Sequence, residues 1–212
     1  MAVSKYNKRA RWASTDPIMQ AGEIGIESDT KYEKIGNGKD PWSKLEYFGS
    51  PGYWAEFVDA SQQTAAANTP TEVTFRNPDP TASHGVRLDS DSKLVVEYPG
   101  IYVFEFVMHL ENTDSQIHDV HFWLRKNNSG SAGDVDLTTL GISVVESHGG
   151  TPGRMIAVLD HTLNLVAEDY LELMWAPSDA AVSIQSESAI TSPYARPAAP
   201  SAVCNVFQVS AA

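Results

Sequence analysis

The chain has 212 residues, 42% of them hydrophobic and 20% charged, with 27 acids against 15 Lys and Arg. That is enough apolar material for one large β domain, or for a medium domain with a small appendage, and no apolar run approaches the ~20 residues of a membrane-spanning helix. A net charge of -12 sets most of the surface against phosphate, which excludes nucleic acid as a partner. Cys204 is the single cysteine, so no intrachain disulfide forms, and its apolar surroundings predict a buried thiol.

The charge is unevenly spread. Residues 1–50 hold eight Lys or Arg against seven acids, whereas the rest of the chain holds seven against twenty. Lys5, Lys8, Arg9 and Arg11 all precede the first acid. Such a cluster reads either as a solvated tail or as an arm that docks on an acidic protein. Residues 1–11 are therefore set apart as a basic N-terminal arm. The opening residues carry no apolar stretch of the signal-peptide kind, which predicts assembly in a reducing cytoplasm without membrane attachment.

Residues 12–49 form the next module. Ala21-Gly22-Glu23-Ile24-Gly25-Ile26-Glu27 and Tyr32-Glu33-Lys34-Ile35 read as short strands, separated and followed by turns. Trp42, Leu45, Tyr47 and Phe48 then supply large apolar surface. About 40 residues of this kind bury too little to stand alone, so the module is expected to find its core by packing around a symmetry axis. Residues 50–52 read as a linker.

From residue 53 to 212 the pattern is β throughout. Strands are predicted at 53–59, 72–75, 93–98, 101–110, 117–126, 141–146, 155–166, 170–175, 182–187 and 203–209, with Gly, Pro, Asn and Asp turns between them. No window shows helical periodicity. In the strand at 101–110, Tyr102, Phe104, Phe106, Met108 and Leu110 share one face, and Val103, Glu105, Val107 and His109 share the other. An antiparallel sandwich or jelly roll follows. In the strand at 117–126, Val120, Phe122 and Leu124 fill the core side, leaving Trp123 on a polar face with His121. A large aromatic there marks an interface or lies under a loop of its own subunit, such as the Pro-rich stretch 192–200.

Two resemblances sharpen this. Arg11-Trp12, Asp16-Pro17, Ala21–Glu27, Asp29-Thr30, Lys34–Gly38 and Pro41–Leu45 resemble, in order, the N-terminal module of tropism-determinant and tail hyaluronidase-type phage fibre proteins. Pro99–Phe106, Trp123–Asn127, Leu163–Leu173 and the apolar strand 203–209 are similar to complement-globular-head and tumour-necrosis-factor-like jelly rolls, which are obligate trimers. The resemblances imply an all-β homotrimer: a small β-prism-like N-terminal trimerisation and anchor module, followed by an antiparallel jelly roll. They point to a bacteriophage virion protein. It would be a trimeric fibre that docks on a tail, baseplate or major capsid protein and displays its head to a bacterial surface glycan. A capsid decoration protein is the alternative, and a polysaccharide depolymerase is less favoured.

Residue roles follow as expectations. Virion docking is assigned to Lys5, Lys8, Arg9, Arg11 and Trp12. The trimer interface is assigned to Val103, Val107, His109, His121 and Trp123, with His109 and His121 on a shared face. Receptor contact is assigned to His148, Arg154, Tyr194 and Arg196, in loops that combine backbone freedom with a ring or guanidinium. No Gly-x-Ser-x-Gly elbow, phosphate loop or His-Glu-x-x-His motif occurs. His118 and His121 fall on opposite strand faces, and the acids at Asp89/Asp91 and Asp134/Asp136 read as solvated turns. No catalytic residue, metal or cofactor is therefore expected, and the chain is read as a non-enzyme.

Overall fold

The structure is a computed structural model describing residues 4–29, 32–45, 47–48, 52–76, 79, 81–128 and 130–210. The linker residues Ser50 and Pro51, the start of the basic arm and the turn residues Thr30 and Lys31 lie outside the described residues. The chain divides into two compact units, Met1–Pro51 and Gly52–Ala212.

The first unit contains β1 (Ser4–Asn7), α1 (Arg9–Thr15), β2 (Ile24–Glu27), β3 (Glu33–Ile35) and β4 (Tyr47–Phe48), with the sheet in the order β1-β2-β3-β4. Strand β1 runs parallel to β2. The basic segment is thus more than a solvated tail: Ser4–Asn7 adds a strand, and Arg9–Thr15 forms about two helical turns. A single short helix stayed hidden because Trp12 is its one buried residue, too little for a periodic signal.

The unit has a core of its own, made of Trp12, Met19, Trp42 and Leu45. Trp12 and Trp42 stack with ring centroids 4.3 Å apart, and the Trp12 indole N–H donates to the Ile26 carbonyl at 3.1 Å. Lys34 is buried against them. Its ammonium lies 4.3 Å from the Tyr47 ring centroid and donates to the Trp42 carbonyl at 3.0 Å. Buried Glu27 accepts from the Tyr47 hydroxyl at 2.6 Å. Two indoles and the polar layer of Lys34, Glu27 and Tyr47 thus give one copy a small core of its own.

The second unit is a two-sheet sandwich built from β5 (Trp54–Asp59), β6 (Gln63–Thr64), β7 (Thr71–Glu72), β8 (Ser83–His84), β9 (Val86–Asp89), β10 (Lys93–Val96), β11 (Gly100–Asn112), β12 (His118–Lys126), β13 (Leu140–Val144), β14 (Gly153–Leu165), β15 (Tyr170–Pro177), β16 (Val182–Ile184) and β17 (Ala202–Ser210). One sheet runs β13-β12-β15-β10-β9, with β7 on β15. The other runs β6-β16-β11-β17-β5-β8, with β14 on β11. Strands β6, β8 and β9 were not legible in the sequence, being short and weakly alternating. The strand predicted at 72–75 is a strand only at its start, within β7, and Val73 and Phe75 beyond it are fully buried.

The alternation in β11 is reproduced residue by residue. Tyr102, Phe104, Phe106 and Met108 are wholly buried, while Val103, Val107 and His109 are half-buried on the opposite face. Phe57, Phe122, Leu124, Leu171, Leu173, Trp175 and Val206 complete the layer between the sheets. Cys204 is in that layer, where burial pushes its thiol pKa well above the ordinary value.

Candidate functional site

Three surfaces carry the chemistry. The first is the basic end of unit one. Lys5 is held by Glu23 at 2.8 Å, and that contact, mainly through the hydrogen bond from Lys5, draws the Glu23 carboxyl below its usual range. Lys8, Arg9 and Arg11 are exposed on and beside α1. Trp12 is different: it is 4% exposed inside the core. Its ring builds the module that presents the cations and offers no docking surface of its own.

The second surface is the outward face of β14-β11-β17-β5. Cross-strand register arranges it in rows. One row is Val158–Val107–Val203–Val58. The next is Asp160–Glu105–Asn205–Glu56, followed by Thr162–Val103–Phe207–Trp54. Val158 is 58% exposed and Phe207 43%. Two apolar rows therefore flank an acidic one. Among the described residues, strand β14 pairs only with β11 along its 13 residues, so its other edge has no strand partner there.

His121 and Trp123 are not on this face. They belong to β12, in the other sheet, so His109 and His121 do not share a face as the sequence suggested. Trp123 is also only half-exposed, and its indole nitrogen is buried without a hydrogen-bond partner among the described residues. One flat contact on a subunit cannot hold both groups. The sequence could not reveal this, because it shows which face of a strand is buried but not which sheet the strand joins. The Pro-rich stretch is tied instead, through Arg196 and Glu187, to Arg154 of β14, in the sheet that does not hold Trp123.

The third surface is the corner where that stretch meets β11 and β14. Residues 187–199 fold back on themselves through bridges at Glu187–Ala199 and Ile190–Arg196. Arg154 contacts Glu111 at 3.1 Å and also Glu187, and Arg196 contacts Glu187 at 2.6 Å. Arg154 and Arg196, chosen from separate loops, are thus joined through one carboxylate. His148 sits in a tight turn closed onto Thr151, and Tyr194 is 64% exposed in the folded-back segment. A cavity of about 490 Å³ opens beside this network. Among the described residues no group of three or more His, Cys, Asp and Glu has a metal-holding arrangement.

The sandwich has a jelly-roll fold similar to that of a tumour-necrosis-factor protein. It superposes on the Eiger TNF of S. frugiperda with a TM-score of 0.51 at 14% identity, over 77% of this chain and 96% of that one. At that identity the likeness is one of fold alone. No known protein-family profile matches the chain.

A particular protein enters through sequence. A 40-residue stretch, 19% of this chain, is 48% identical to the hyaluronoglucosaminidase of Streptococcus pyogenes phage H4489A. The match spans only 11% of that enzyme. A phage relative and this fold fit a phage structural protein. The reading of the chain as a non-enzyme is overturned by the same finding, since the relative is itself an enzyme.

Proposed function

We propose that the protein is a trimeric component of a phage virion, docking through its first unit and displaying the jelly roll to a bacterial surface glycan. The short, high-identity match carries this reading. A 40-residue segment shared with a phage protein whose remaining length is unmatched has the form of a portable module. Lys8, Arg9 and Arg11, exposed on and beside α1 of the first unit, face an acidic site on a tail, baseplate or capsid protein. The trimer forms through the rows around Val103 and Val107, which also cover the open β14 edge.

The test is the triple variant Lys8→Glu, Arg9→Glu, Arg11→Glu, followed by immunogold labelling of particles. Wild-type label at one virion location and its loss in the variant is the expected result; equal labelling refutes the docking role. Label on the head rather than the tail would assign the protein to capsid decoration. A second reading, hydrolysis of hyaluronan, is favoured by the relative's activity. It is tested by release of reducing ends from hyaluronan incubated with the full chain, and no release above buffer would reject it.

A further inference from the structure

The corner cavity has a composition that selects its ligand, and resting on the glycan-display reading above we propose that it binds a single neutral sugar residue, a hexose or N-acetylhexosamine. Its size of about 490 Å³ falls within the range of small-ligand sites. Leu110, Met155 and Ile156 give it an apolar side, and Ile156 is 60% exposed there. Such a surface suits the C–H face of a pyranose.

Charge decides against an anionic ligand. Arg154 and Arg196 are compensated by Glu111 and Glu187, two cations against two anions. Arg196 spends further donors on the Ser188 and Pro197 carbonyls, at 3.3 and 3.2 Å. A carboxylate or sulfate entering here would have to displace a carboxylate already seated. The polar groups left over are mainly acceptors. Glu111 and Glu187 keep lone pairs, and the Gln185 side-chain oxygen is enclosed without a partner among the described residues while its amide nitrogen donates to the Ser186 carbonyl. The half-buried His109 ring has no hydrogen bond among the described residues and can donate or accept. An acceptor-rich, charge-balanced cavity with an apolar side calls for a ligand rich in hydroxyl donors and free of charge.

The ion-pair network also pins the folded-back segment, so a test must separate support from binding. Saturation-transfer NMR on the full chain would use glucose, galactose, rhamnose and N-acetylglucosamine singly, with glucuronic acid as the charged comparator. At least one neutral sugar should show transfer and glucuronic acid none. Ala199→Trp fills the cavity from the loop side and leaves the sequence of both strands unchanged. It should weaken that sugar by about tenfold or more while sedimentation and circular dichroism stay unchanged. Gln185→Leu should weaken it as well. Absence of transfer from every neutral sugar, preference for glucuronic acid, or undiminished binding in Ala199→Trp overturns the proposal. Binding to bacterial cells is scored in parallel. Cells bound equally by wild type and Ala199→Trp would sink the cavity but not glycan display, whereas no cell binding by either would sink glycan display itself.

Discussion

At Gly25 the backbone of β2 passes directly beneath the Trp42 ring. A Cβ added there would strike the ring and come within 2.9 Å of the Met19 sulfur. The glycine is needed for close approach and not for unusual backbone angles, because the indole pair has no other floor. Gly25→Ala should destabilise the first unit by about 1–3 kcal/mol through overpacking, and Trp12→Ala by about 3–5 kcal/mol through cavity formation. Thermal melts followed by near-ultraviolet circular dichroism of the tryptophans would read both.

In the sandwich, Asp169 closes the turn between β14 and β15. Burial opposes its charge, but Lys126 at 2.8 Å, the Asn127 amide and the Val166 N–H outweigh burial and hold its carboxyl below the usual range. A carboxyl lowered on folding contributes stability that is present above the unfolded value of about 3.9 and lost as pH falls through the folded one. Asp169→Asn should therefore cost about 1–2 kcal/mol at pH 7 and flatten the loss of stability below pH 4. Urea titrations across that interval would measure it.

At the scale of elements, β11 and β14 dominate. Both run for 13 residues in continuous register, so β14 presents a long, flat, open edge with Ile156 and Val158 exposed beside it. Soluble proteins rarely leave such an edge bare. Val107→Glu with Val158→Glu adds two charges to an apolar row already bordered by Asp160 and Glu105. The pair should convert a species of three times the 23.1 kDa chain mass into monomer in sedimentation equilibrium; wild type sedimenting as monomer would remove the trimer from the account. Legibility differed sharply between elements. Long alternating strands declared themselves because period-two patterning is local. The two-residue strands did not, and neither did α1, because each contributes at most one buried side chain and is held by its neighbours more than by its own pattern. The pairing of Arg154 with Arg196 through Glu187 was equally invisible, since it joins residues more than 30 positions apart.

At the scale of the whole molecule, the two units each close their own core. Those two clusters, one around the Trp12–Trp42 stack and one between the sheets, share no residue. The fragment Gly52–Ala212 should therefore keep the cooperative melt of the sandwich when the first unit is removed, as read by far-ultraviolet circular dichroism. The sequence by itself determined the all-β class, the inward face of β11, the compositional break near residue 50 and the likeness of the short module to phage proteins. These features depend on alternation, turn chemistry and local motif, all written within a few tens of residues. Only the tertiary structure decided that Trp12 is core, that His109 and His121 lie on different sheets, and that a neutral corner cavity exists. Those facts depend on which strands become neighbours, and long-range pairing leaves no mark on the local pattern of either partner.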